Sequence, residues 1–147
     1  MTIRILIVDD YCVIRAGLRA LLQPDEELQI VAEATDGRDA IEKALKWRPD
    51  VVLMDTVLPT MDGISATAII RKDLPTTEVL ILTDTHNGLD IIKAIRAGAI
   101  GYLLKNAQAT DLRTAIRAAA VGQVYLSPVT ATYTLLDQEV VNAYISQ

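Results

Sequence analysis

Short apolar runs and amphipathic helical segments alternate five times along this 147-residue chain. That alternation is the signature of a parallel β-sheet covered by helices on both faces. Ile5-Leu6-Ile7-Val8, Val51-Val52-Leu53-Met54, Val79 to Leu82 and Ile100 to Leu104 are too short for helices and read as buried strands, while the more polar Leu28 to Ala34 reads as an edge strand. Between them, Ile14, Leu18, Leu21 and Leu22 recur at helical spacing before Pro24. Thr35 and Asp36 are candidate caps for a helix carrying Ile41, Ala44 and Leu45, which ends near Trp47 because Pro49 follows. Further helices are expected over Ile64 to Arg71, Leu89 to Arg96 and Thr110 to Val121, the last with Leu112, Ile116 and Ala119 or Ala120 on one face. The fold expected is a doubly wound (βα)5 α/β domain with a five-stranded parallel sheet over residues 1–126. Residues 127–147 follow as a C-terminal tail or linker, whose stripe Tyr133, Leu136, Val140 and Tyr144 has helical spacing and needs a partner surface.

Four of the strands end in chemistry. The first delivers Asp9-Asp10, the third Asp55, the fourth Thr83 and the last Lys105. In an open parallel sheet, ligands bind in the crevice outside the carboxyl ends of the strands, so these side chains converge on one site. Three carboxylates in a small space raise one another's pKa unless a cation sits among them. Oxygen ligands without a His or Cys cluster favour Mg²⁺, with Mn²⁺ as the alternative, and Mg²⁺ pairs readily with phosphoryl oxygens. With a hydroxyl at Thr83 and an ammonium at Lys105, the set suits a phosphoryl group in line with a carboxylate nucleophile, for which Asp55 is the choice. Taken singly, each has a plainer reading: Asp9-Asp10 a solvated loop, Asp55 a cap, Thr83 a strand residue, Lys105 a surface lysine and Tyr102 core. Only the combination carries the site.

The wording around these residues is Leu6-Ile7-Val8-Asp9-Asp10, Met54-Asp55 with Pro59 and Met61-Asp62-Gly63, Leu82-Thr83, and Ala97-Gly98-Ala99-Ile100-Gly101-Tyr102-Leu103-Leu104-Lys105. It resembles the receiver domain of two-component response regulators over residues 3–126. Arg15-Ala16-Gly17-Leu18 and Gly101-Tyr102-Leu103-Leu104-Lys105 are similar to the NarL/FixJ (LuxR-type) subgroup. The resemblance implies a flavodoxin/CheY-like strand order of 2-1-3-4-5. It implies that Asp55 accepts a phosphoryl group from a histidine kinase or phosphotransfer protein. Mg²⁺ would be held by Asp10, Asp55 and the backbone carbonyl of Val57, with Asp9 assisting partly through water. Thr83 and Lys105 would contact the phosphoryl oxygens, and Thr83 and Tyr102 would form the switch. It also implies a homodimer, and DNA binding only through a C-terminal helix-turn-helix domain that this sequence does not include.

Four positions depart from the family's wording. Leu58 stands where methionine is usual, a volume-conserving change. Asp84 occupies a place beside the phosphoryl pocket that is commonly small, and is a candidate modulator that repels the incoming group. Tyr11 and Cys12 stand where the subgroup often has His and Pro.

Hydrophobic residues at 51% and charged residues at 22% fit a soluble globular protein. Fourteen basic against nineteen acidic side chains give a net charge of −5, which argues against a broad nucleic-acid-binding surface on this chain. One cysteine, Cys12, permits no internal disulfide and is expected to be a small packing residue. No signal peptide or membrane span is legible, so the expected location is cytoplasmic. The sole histidine, His86, reads as a solvated loop residue, and Trp47 as a partly buried anchor.

Three other readings compete with a signalling domain that is not a turnover enzyme. A phosphatase or phosphotransferase of the haloacid dehalogenase kind also forms an aspartyl-phosphate, but its nucleophile opens a DxD motif on the first strand, which Asp9-Asp10-Tyr11-Cys12 lacks. A pseudo-receiver interaction module, its phosphorylation spoiled by Asp84, is opposed by the intact Asp10, Asp55, Thr83 and Lys105. FMN binding on the same fold lacks the Ser/Thr/Gly-rich phosphate cradle after the first strand.

Overall fold

A computed structural model describes residues 2–84 and 88–126, with only the backbone described at Gly88 and Leu89. Strands β1 (Ile3–Val8), β2 (Leu28–Ala34), β3 (Val51–Met54), β4 (Glu78–Thr83) and β5 (Gly101–Leu104) alternate with helices α1 (Cys12–Leu22), α2 (Gly37–Trp47), α3 (Gly63–Asp73), α4 (Gly88–Ala97) and α5 (Ala109–Ala120). Every strand pairing is parallel, in the order β2-β1-β3-β4-β5, as the resemblance implied.

The expected five-stranded sheet has a sixth member. After α5 the chain returns as β6 (Tyr125–Leu126), parallel to β5, so the order is β2-β1-β3-β4-β5-β6. Two residues carry no readable periodicity, which is why the strand is invisible in the sequence. It fits against β5 because residue 101 is glycine: a Cβ there would lie 2.5 Å from the Tyr125 carbonyl oxygen. The expected tail over 127–147 and its Tyr133 to Tyr144 stripe lie outside the described residues, as does His86.

Alternation along each strand divides the core in two. Ile3, Ile5, Ile7, Val51, Leu53, Leu80, Leu82 and Leu103 pack with Leu18 and Leu22 of α1 and with Leu112, Ala115, Ile116 and Ala119 of α5. Leu6, Val8, Val52, Met54, Val79, Ile81 and Tyr102 pack on the opposite face with Ala40 and Ala44 of α2, Ala66 and Ile70 of α3, and Ile91, Ile92 and Ile95 of α4. Each fully buried branched side chain contributes roughly 1.5–3 kcal/mol over remaining exposed, and both layers end at the same edge. The helical stripes are narrower than the sequence suggested: Leu21 and Leu45 are exposed, as are Trp47, beside the Lys46 ammonium, and Cys12. Cys12 is therefore not a packing residue; it opens α1, where the first turn faces solvent.

Candidate functional site

The sheet's hydrogen bonds carry on past the strands and seat the polar residues. Asp9 donates its amide to the Ala34 carbonyl at 3.1 Å, Asp55 to Val8 at 3.0 Å, and Lys105 to Thr83 at 2.7 Å. The backbone of three strand ends is thus held in ladder register where the side chains turn into the crevice.

The predicted carboxylates do meet. Oxygens of Asp9, Asp10 and Asp55 lie within 4.8 Å of one another, with Asp9 and Asp55 buried and Asp10 exposed. Lys105 closes the group: its Nζ is 2.7 Å from Asp9 Oδ2 and 3.2 Å from Asp55 Oδ2. Burial raises the pKa of Asp55, with the Asp9 charge adding to the rise and Lys105 opposing it. For Lys105, burial works against the charge, but the hydrogen bond to Asp9 and the charges of Asp55 and Asp9 outweigh it and the pKa is raised. An ammonium therefore stands beside the carboxylates with its proton secure.

Asp9 is held by its own loop and by α1. Its Oδ1 accepts the Tyr11 amide at 2.9 Å, and its main-chain carbonyl accepts from Arg15 Nη1 at 2.7 Å. Arg15 is aligned in turn by Glu33, whose Oε1 lies 3.1 Å from Arg15 Nε. The sequence offered only a faint signal for this clamp, a basic side chain one turn into the helix after the acidic loop.

Thr83 is buried at the end of β4, in line with Val79 and Ile81 and so directed to the face that holds Tyr102. Tyr102 lies on that same face, and burial together with the Asp90 charge pushes its phenol up to about 12. Thr83 Oγ1 is 3.1 Å from Thr56 Oγ1, a residue that the sequence reading passed over. The usable signal was its place immediately after Asp55. Asp84 is exposed at the same strand end. Val57 is 80% exposed on the loop after β3, beside a groove of about 390 Å³ lined also by Thr56, Asp62, Ile64, Ser65, Asp90 and Lys93.

That loop is tightly built. Asp62 caps α3, accepting the Ser65 amide at 2.9 Å and its hydroxyl at 2.8 Å. Gly63 donates to the Thr56 carbonyl at 2.9 Å and lies against the Asp55 main chain. An all-oxygen carboxylate cluster with a buried, charge-disfavoured member is the donor set that a hard divalent cation suits.

Residues 5–117 match the family described as the response regulator receiver domain. The chain belongs to that family. The VraR response regulator of Staphylococcus aureus is 38% identical over 128 residues, a match spanning 87% of this chain and 61% of that protein. The chain thus matches about three fifths of the length of such curated relatives. Among solved structures, a LuxR-family two-component response regulator from Aurantimonas sp. SI85-9A1 superposes with a TM-score of 0.85 at 34% identity, covering 99% of each chain. The signal receiver domain of NarL from Mycobacterium tuberculosis does so with a TM-score of 0.79 at 32% identity, covering 83% of this chain and 98% of that one. Receiver domains are signalling modules that work with histidine kinases and bind Mg²⁺ at an acidic pocket. The Asp9, Asp10 and Asp55 cluster of this receiver could hold such an ion. Among its described residues no helix is long and apolar enough to cross a membrane.

Proposed function

We propose that Asp55 is the phosphoacceptor of this receiver and takes its phosphoryl group from a histidine kinase or phosphotransfer protein. The observation that carries the reading is the Lys105 ammonium lying against both Asp55 and Asp9 at the carboxyl edge of the sheet. An Asp55 carboxylate oxygen attacks the phosphorus of a phosphohistidine, the P–N bond breaks, and its electron pair leaves with the imidazole. Lys105 supplies positive charge where the phosphoryl oxygens arrive, and Thr83 supplies a hydroxyl donor. Mg²⁺, or Mn²⁺ in its stead, held by Asp9, Asp10, Asp55 and the Val57 carbonyl, would neutralise charge on the phosphoryl oxygens. Exposed Tyr11, Val13 and Val57 give the rim an apolar footing for a protein donor.

The new charge draws the Thr83 hydroxyl, and Tyr102 repacks with it, which alters the surface formed by α4, β5 and α5. That surface, or the one formed by α1 and α5, would control homodimerisation. Residues 1–126 form the receiver and 127–147 a linker, and DNA would be bound only through a further C-terminal domain, as in a transcription regulator. Turnover is limited to loss of the protein's own phosphoryl group, and the protein works in the cytoplasm.

Incubation with acetyl phosphate, with and without Mg²⁺, tests the reading. Magnesium-dependent labelling that Asp55→Asn abolishes is expected. Labelling without magnesium, or an equally labelled variant, overturns it.

A further inference from the structure

Two threonine hydroxyls meet beside the phosphoacceptor. Thr83 Oγ1 is 3.1 Å from Oγ1 of Thr56, the residue that directly follows Asp55. A threonine hydroxyl has one proton to give and two lone pairs to accept with. A phosphoryl group on Asp55 presents only acceptor oxygens, so Thr83 can serve it only by turning its single proton toward them.

The two demands on Thr83 compete for one proton. The Asp55 carboxylate is engaged with Lys105 on the side of Asp9. Thr56, by contrast, lines the groove beside α4 with Asp90 and Lys93. Thr56 is anchored there because its own carbonyl accepts the Gly63 amide at 2.9 Å, so its side chain starts from a fixed backbone.

We propose that Thr56 is a positioning residue that holds the Thr83 hydroxyl in its phosphate-free orientation and thereby sets how readily the receiver switches. The inference rests on Asp55 being the phosphoacceptor. Thr56 touches neither donor nor metal in this scheme and acts through Thr83. With Thr83 as the donor of that pair, one neutral hydrogen bond must be given up or reversed for the switch to complete, a penalty that removal of the Thr56 hydroxyl lifts.

Beryllofluoride with Mg²⁺, a non-covalent stand-in for the phosphoryl group, is the probe, titrated into the whole chain by calorimetry. Thr56→Val keeps the volume and removes the hydroxyl, and should tighten the apparent affinity by about two- to tenfold, the worth of one net neutral hydrogen bond. Thr56→Ala, at this half-buried position, should do the same, and Thr56→Ser should return the wild-type value. In a Thr83→Val background, Thr56→Val should change nothing further. Unchanged or weaker binding by both hydroxyl-less variants, or an equal gain without the Thr83 hydroxyl, overturns the proposal. A wild-type chain that neither binds beryllofluoride nor labels with acetyl phosphate removes the phosphoacceptor reading, and the inference with it.

Discussion

Gly63 sits so close to Asp55 that a Cβ at position 63 would lie 1.8 Å from the Asp55 carbonyl oxygen. The start of α3 is therefore stacked directly on the backbone of Asp55, and the glycine is there for space. Gly63→Ala must push the loop or the strand end apart. It should destabilise the fold by roughly 2–4 kcal/mol in urea denaturation, in the range of overpacking and strained-site mutations. It should also slow labelling by acetyl phosphate. A variant as stable as the wild type would contradict the packing described.

The raised pKa of Asp55 fixes the sign of a pH effect. Because the folded state holds this carboxyl above its unfolded value, protonated Asp55 favours folding. That contribution is fully present below the unfolded pKa of about 3.9 and is lost as the pH rises through the folded one. At neutral pH and without divalent cations, Asp55→Asn should therefore melt at a higher temperature than the wild type. The difference should shrink as the pH falls below the folded pKa. Melting curves across pH 4 to 8 in chelator decide it, and a variant less stable at pH 7 refutes it.

Magnesium should act on the same balance from the other side. A cation among Asp9, Asp10 and Asp55 relieves their repulsion, so adding Mg²⁺ should raise the wild-type melting temperature. Asp10→Asn, changed at the exposed member of the cluster, should weaken Mg²⁺ binding by at least about tenfold, one charge of a hard-ion site. Equal magnesium response in the variant would remove Asp10 from the ligand set.

Asp84 is exposed directly after Thr83, and a negative charge at this strand end would repel an anionic donor. Asp84→Ala should label with acetyl phosphate a few-fold faster, and the gain should narrow at high salt, where a Debye length near 3 Å screens the repulsion. An unchanged rate at low salt would clear Asp84 of a modulating role.

Much of the site was legible because its residues sit at strand ends, where one rule of topology and one alternation pattern suffice. Asp9, Asp55, Thr83 and Lys105 follow apolar runs whose parity assigns each side chain to a face, and the ladder bonds of Asp9, Asp55 and Lys105 then fix them. What escaped depends on features without a period. The strand Tyr125–Leu126 forms because Gly101 lets another backbone approach. Thr56 matters through a single oxygen-to-oxygen contact with a residue on a neighbouring strand. Leu21 and Leu45 misled for the opposite reason: they match the helical spacing, but their helices present only a narrow face to the sheet. Cys12 reads as a packing residue because no activating base lies near it in the sequence, yet it is exposed.

The two-residue strand β6 gives the outgoing polypeptide a fixed point of departure. Tyr125 donates to the Ile100 carbonyl at 3.2 Å, and Leu126 is the register partner of Tyr102 and packs against the same buried cluster. Whatever follows residue 126 thus departs from the very rung of the sheet that bears the aromatic ring.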